Sequence, residues 1–172
     1  MSDPIIETER LELRPLAMDD LDALALIYAD PEVRKYFPEG TLTREETREE
    51  LAWIIDVYYA EHGFGLWATT FKQTNDFIGR CGLLPWTIEG RSEVEVAYLL
   101  ARDHWGRGLG TEAARAILAY GFDELRLPRL ISLIDPANRA SVNVARKIGM
   151  RLEREAEIDG DATLVYSAAQ PA

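Results

Sequence analysis

Gly106, Gly108 and Gly110 stand two residues apart, between an apolar run ending at Leu100 and a helix-forming stretch that begins at Thr111. Glycine lets a backbone approach a ligand closely, and a helix start adds unpaired N–H groups and partial positive charge. A strand, a glycine turn and a helix start in that order suit a pyrophosphate. The alternative is a tight turn that binds nothing. Neither familiar phosphate motif fits. A P-loop needs Gly-x4-Gly-Lys-Ser/Thr, and no lysine stands here; the dinucleotide fingerprint needs Gly-x-Gly-x-x-Gly, where this chain has Gly-x-Gly-x-Gly. Just upstream, Glu93 and Glu95 share a strand face with residues 97 and 99. Two neighbouring carboxylates could raise one pKa and attract a cation, or they could be solvated strand charges.

The elements that must position these groups are legible from pattern. Leu11 to Leu16 alternates like a half-buried strand, and Asp19 and Asp20 open an amphipathic helix through Leu21, Leu24, Ile27 and Tyr28. Thr43 with Glu46 makes a capping box for a helix running to about Ala60. Leu66–Phe71 and Phe77–Leu84 flank a polar turn as a hairpin, and Glu93–Leu100 is the next strand. Thr111–Leu125 has a helical apolar pattern, Leu130–Ile134 is a short buried strand, and Arg139–Ile148 is a helix ended by Gly149. Met150–Ile158 and Ala162–Ala168 flank Asp159-Gly160 as a last hairpin. The sum is one mixed α/β domain, 1–172, with a single sheet layer.

Composition narrows the function. The chain has 172 residues, 47% hydrophobic and 28% charged, which suits one soluble domain able to bury its own core. No apolar run approaches the ~18 residues of a membrane span, and the amino end lacks the features of a secretory signal, so a cytoplasmic protein off the membrane is expected. A net charge of −11 argues against nucleic acid and would attract a cationic partner, although acidity for solubility explains it equally well. Cys81 is alone, excludes an internal disulfide and reads as buried filler. No His/Cys/Asp cluster has metal-ligand spacing, so no metal is expected.

The segment Glu95–Ala113, taken with Glu9-Arg10-Leu11-Glu12-Leu13-Arg14-Pro15, Gly65-Leu66-Trp67-Ala68, Phe77-Ile78-Gly79-Arg80-Cys81-Gly82-Leu83 and Asn138–Met150, resembles the GNAT acetyltransferase superfamily. Within it, the chain looks like the ribosomal-protein-type (RimJ/RimL-like) branch. The resemblance implies the GNAT fold: a mostly antiparallel sheet of about seven strands, splayed in the middle and flanked by about four helices. It implies acetyl-CoA lying in the splay between Glu93–Leu100 and Leu130–Ile134. The pantetheine arm would pair with the backbone of Tyr98, Leu99 and Leu100. The pyrophosphate would sit on the turn of Trp105, Gly106, Arg107, Gly108, Leu109, Gly110 and Thr111. Asn138 would bond the pantetheine, with Ser141 and Asn143 close by. Trp105 stands where the loop motif usually has Gln or Arg. Ala145 stands where many members have a tyrosine that protonates the thiolate, an absence shared with the ribosomal-protein-type branch.

The implied activity is acetyl transfer to a primary amine, either a protein N-terminus or a small molecule, with a homodimer as the family expectation. An ammonium has no free lone pair, and at pH 7 only about one lysine-like amine in a few thousand is neutral. Glu95 is the favoured base and Ser141 the first candidate acid, with Tyr98 second; Ser141 could equally be a capping or cofactor-binding hydroxyl. The Leu100 N–H is a candidate oxyanion donor. Trp53, Tyr58 and Tyr59 fall where relatives shape the acceptor pocket, or they are helix-face core. Trp67 and Trp86 are core or pocket wall, and His104 is exposed scaffold. Rival readings are a silent CoA-binding sensor and a protein that uses the fold alone. Gly108→Glu places bulk and charge against the presumed pyrophosphate, so it should abolish acetyl-CoA binding in isothermal titration.

Overall fold

In the computed structural model, which describes residues 2–172, an eight-stranded sheet carries the whole architecture. Its strands are β1 (Ile6–Glu7), β2 (Leu11–Pro15), β3 (Leu66–Phe71), β4 (Asp76–Ile88), β5 (Arg91–Leu100), β6 (Arg129–Ile134), β7 (Arg151–Ile158) and β8 (Asp161–Ala169). They lie in the order β1-β2-β3-β4-β5-β6-β8-β7. Every neighbouring pair is antiparallel except β5 and β6, which run parallel and pair only at Glu95 with Ile131. The expected sheet of about seven strands thus gains one, the two-residue β1, too short for any pattern.

Helices cover both faces, so β5 buries both sets of its alternating side chains. Val96 and Leu100 join Trp67, Leu83, Ile117 and Leu130 in the core under α4 (Leu109–Asp123) and α5 (Arg139–Lys147). Ala97 and Leu99 join Leu24, Tyr28, Leu51 and Ile54 in the core under α1 (Leu21–Tyr28) and α2 (Arg44–Trp53). A short 3₁₀ turn, Met18–Asp20, precedes α1. Thr43 caps α2 as its sequence indicates: Thr43 Oγ1 accepts from the Glu46 N–H at 3.2 Å, and Glu46 accepts from the Thr43 N–H at 2.7 Å.

Two boundaries differ from expectation. The β4–β5 hairpin runs four residues past Leu84, to a turn at Glu89 and Gly90, both at positive φ. Pro85 marks a strand end by propensity, but the Leu83 N–H bonds Gly65 O at 3.0 Å, and two residues further on Pro85 turns its nitrogen past the end of β3, where no ladder bond is lost. The second helix reaches His62 through a π-helical segment, Ile54–Tyr58, continued by α3 (Tyr59–His62). Such wide turns commonly sit at functional sites.

Close approach of strands fixes Gly82. A Cβ there would lie 2.1 Å from Gly65 O and 2.9 Å from the Leu66 Cα, both backbone atoms with little room to yield. Gly82→Ala should therefore destabilise the protein by ~1–3 kcal/mol in urea denaturation, the range for overpacking.

Candidate active site

The glycine turn is built as an anion cradle. After a 3₁₀ turn at Arg102–His104, Gly106 and Gly108 take φ of 72° and 76°, a region that favours glycine. Gly108 is the N-cap of α4 and supplies no side chain, so the first N–H groups of a fifteen-residue helix stay uncapped. A Cβ added at Gly106 or Gly110 would meet nothing within 4 Å, which leaves room above the turn for a ligand. The turn is also clamped from below. Arg10 donates to Arg107 O at 2.8 Å and pairs with Glu112 at 2.7 Å, and Glu112 accepts from the Arg10 N–H and the Thr8 hydroxyl. Sequence reasoning gave Arg10 no such role, because its partners lie about a hundred residues away. Trp105, half exposed, donates its indole N–H to Leu100 O at 2.8 Å. His104 is partly buried, edge-on to Phe71, rather than exposed.

The cleft that the turn overlooks opens where β5 and β6 part. The Ala101 N–H bonds Ile78 O at 2.7 Å. By alternation Leu99 turns its backbone groups to β4, while Tyr98 and Leu100 present theirs to the cleft. The candidate backbone pairing of a pantetheine arm thus narrows to Tyr98 and Leu100. Side chains replace the lost ladder. Ser132 Oγ donates to Val96 O at 3.2 Å, and Glu95 accepts from the Leu133 N–H at 3.3 Å. Across the opening, the Tyr98 hydroxyl donates to Ser141 O at 3.2 Å; burial pushes this phenol up to about 12.

Glu95 is the titratable group of the cleft. Its other oxygen accepts the Trp86 indole N–H at 2.7 Å. Burial pushes its carboxyl up to about 7, outweighing the Trp86 and Leu133 hydrogen bonds and the Arg80 charge, which act the other way. Glu93 has no part in this shift. It is held by Arg129 at 2.8 Å, which also grips Glu153, so the expected carboxylate pair is one hydrogen-bonded carboxyl on the cavity wall and one ion-paired strut.

On α5, Asn138 is the N-cap, its side-chain oxygen accepting from the Ser141 N–H at 3.2 Å. Asn138 and Ser141 line a cavity of about 920 Å³ together with Glu95 and Tyr98. Asn143 is exposed and lies on the other side of the helix, away from that cavity. Ala145 is sealed in the core, filled from both sides where a tyrosine would need room.

The cavity extends to the α1–α2 face, where Trp53, Tyr58 and Trp86 line it. Tyr59 does not. Its hydroxyl accepts from the Leu16 N–H and donates to Leu66 O, tying the helix to the sheet. Trp67 is core. Sequence reasoning missed Arg34, Glu50 and Arg80 on this wall; the available signal was Arg80, one charge in the apolar run Phe77–Leu84.

A family model described as an acetyltransferase (GNAT) domain matches residues 10–151. The chain belongs to the GNAT acetyltransferases. It is 41% identical over 152 residues to the uncharacterized protein YkkB of Bacillus subtilis (strain 168), covering 86% of this chain and 85% of that one. It is 31% identical to the uncharacterized N-acetyltransferase p20 of Bacillus licheniformis, covering 85% and 82%. Among solved structures, an acetyltransferase from Agrobacterium tumefaciens str. C58 superposes with a TM-score of 0.84 at 33% identity, covering 99% and 96%. The protein is an N-acetyltransferase, and GNAT enzymes use acetyl-CoA. The uncapped helix start at the turn and the open edge of β5 lead to the cavity and leave room for an extended molecule of that kind. Among the described residues no helix is long and apolar enough to cross a membrane, and no group of three or more acidic, His or Cys side chains is placed to hold a metal ion.

The Glu95 shift makes a stability prediction independent of catalysis. A glutamate titrates near ~4.3 in an unfolded chain and at about 7 here, so folding favours the protonated form and stability falls as pH rises between those values. Glu95→Gln should remove that part of the slope. Thermal unfolding from pH 4.5 to 8 should show the wild type losing ground to the variant; a difference constant with pH would refute the assignment.

Proposed function

We propose that the chain is an acetyl-CoA-dependent N-acetyltransferase in which Glu95 receives the proton of a primary-amine acceptor. The observation that carries this reading is a carboxyl pushed up to about 7 on the wall of the cavity, at the point where the sheet opens. A base with that pKa is half ionised near neutral pH, where it takes a proton most effectively. The neutral amine attacks the thioester carbonyl directly. A backbone N–H on the open edge of β5, nearer to Glu95 than Leu100 is, stabilises the oxyanion, and the cradle holds the two reactants in line. The departing thiolate is protonated through the Ser141 hydroxyl, which takes in return the proton that the attacking nitrogen sheds as the tetrahedral intermediate collapses; Ser141 lines the cavity, whereas the Tyr98 proton is engaged by Ser141 O.

The ribosomal-protein-type branch is part of the same reading. It is supported by the first-strand run Glu9–Pro15, whose Arg10 clamps the glycine turn, and by Ala145 in place of the tyrosine. Isothermal titration should give one-to-one binding of acetyl-CoA. Thiol release with an accepted amine should rise with pH to a plateau, with a midpoint near pH 7 set by Glu95. Glu95→Gln should bind acetyl-CoA normally, lose the step and turn over roughly 10²-fold or more slower. An unchanged rate and profile would remove Glu95 as the base; absence of acetyl-CoA binding by folded protein would sink the whole reading.

A further inference from the structure

The floor of the cavity, on the α1–α2 side, holds two buried guanidinium groups that no carboxylate grips closely. Arg80 and Arg34 are 4% and 3% exposed. Their rings of contact are shared: both sit over the faces of Tyr28 and Phe37, with Arg34 4.2 Å from the Phe37 centroid and Arg80 5.6 Å from it. Arg34 donates to Gly40 O at 2.8 Å and reaches Glu39, itself mostly exposed, only at 3.5 Å. Arg80 forms no ion pair among the described residues. Its Nε donates to the Tyr28 hydroxyl at 2.9 Å, and that hydroxyl donates to Glu50 at 2.6 Å. The two terminal nitrogens of Arg80 meet no acceptor among the described residues, yet they are not sealed in the core, so they open on the cavity that Arg34, Arg80 and Glu50 line.

A buried guanidinium with N–H groups left unbonded is destabilised, and two of them repel one another. An anion entering from the cavity would relieve both at once, and the planar guanidinium fork matches a carboxylate in two-point contact. Lys35 apart, the other charged residues lining the cavity are acidic. Glu95 stands on the wall, and the exposed carboxylates Glu46, Asp135, Asp159 and Asp161 ring the mouth. An entering molecule thus meets negative charge where an ammonium must lose its proton and positive charge deeper in.

From this arrangement we infer that the acetyl acceptor is an aminocarboxylate, a small molecule bearing both the reacting amine and a carboxylate, with the carboxylate held by Arg80 and Arg34. The inference rests on the acetyltransferase reading and names the substrate class of the same site. It disfavours polyamines and other amines without an acid group.

The test is a panel of free α- and ω-amino acids, each paired with its own carboxamide. Two readouts are taken on wild-type protein: calorimetric binding, and thiol release from acetyl-CoA. The free acid of at least one pair should bind at least tenfold tighter and show at least tenfold higher kcat/KM, mainly through KM. Arg80→Met should bring that ratio close to one, Arg80→Lys should restore part of it, and Arg34→Gln should lower it. Carboxamides that match or exceed every free acid would overturn the inference, as would a preference that survives Arg80→Met in folded protein. Because the wild-type comparison needs no variant, poor folding of Arg80→Met leaves the test intact. If acetyl-CoA binds and amines without carboxylates are acetylated best, the substrate class is wrong and the enzyme reading stands. If nothing is acetylated and acetyl-CoA does not bind, the enzyme reading has failed.

Discussion

Parallel pairing between β5 and β6 lasts for a single residue pair, Glu95 with Ile131, and then the two strands diverge. In a continuous sheet the N–H and C=O groups beyond that point would be spent on the neighbouring strand. Here they become a site. The backbone groups of Tyr98 and the N–H of Leu100 are left on an open edge, Ser132 and Glu95 satisfy what the parting would otherwise orphan, and the cavity follows the gap through the sheet. The same geometry places a carboxyl where desolvation raises its pKa. The chemistry and the break in the ladder are one feature.

Both the turn and the strand edge present backbone rather than charged side chains. The glycine turn offers uncapped N–H groups at a helix start, and β5 offers a strand edge. This explains how the loop can begin with Trp105 and still form: its side chain is turned back to Leu100 O, and the anion site is made by atoms that every residue has. The charged residues nearby act one step removed. Arg10 and Glu112 hold the turn against the first strand, and Arg129 holds Glu93 aside so that Glu95 stands alone.

Much of this was legible in the sequence, for identifiable reasons. Period-two and period-3.6 patterns located seven of the eight strands and all the long helices, and the capping box at Thr43 and Glu46 formed as written. Local rules failed where a long-range fact decided: Pro85 reads as a strand end until one knows that β3 stops short of it, and the π turn at Ile54–Tyr58 has no signature in side-chain spacing. The cradle and Glu95 were readable because they are contiguous. The Arg34–Arg80 pair was not, since it joins a loop after α1 to the middle of β4 through the ring of Tyr28. Asn143 fits the motif's register yet is exposed and does not line the cavity once its helix is built.

The helical wall of the cavity is fastened along its inner face by Leu51 and Ile54 and at its far end, while its rim is open. The Tyr59 hydroxyl bridges Leu16 and Leu66 and welds the far end of that rod to the sheet, while Trp53, six residues earlier, stands more than half exposed at the rim. Strand β5 lines the same space and shares no backbone with this wall. Changes around Trp53 can therefore reshape the rim without disturbing the open edge of β5. Such separation lets a lineage trade one acceptor for another through a handful of surface substitutions, its acetyl-transfer chemistry passing intact from one descendant to the next.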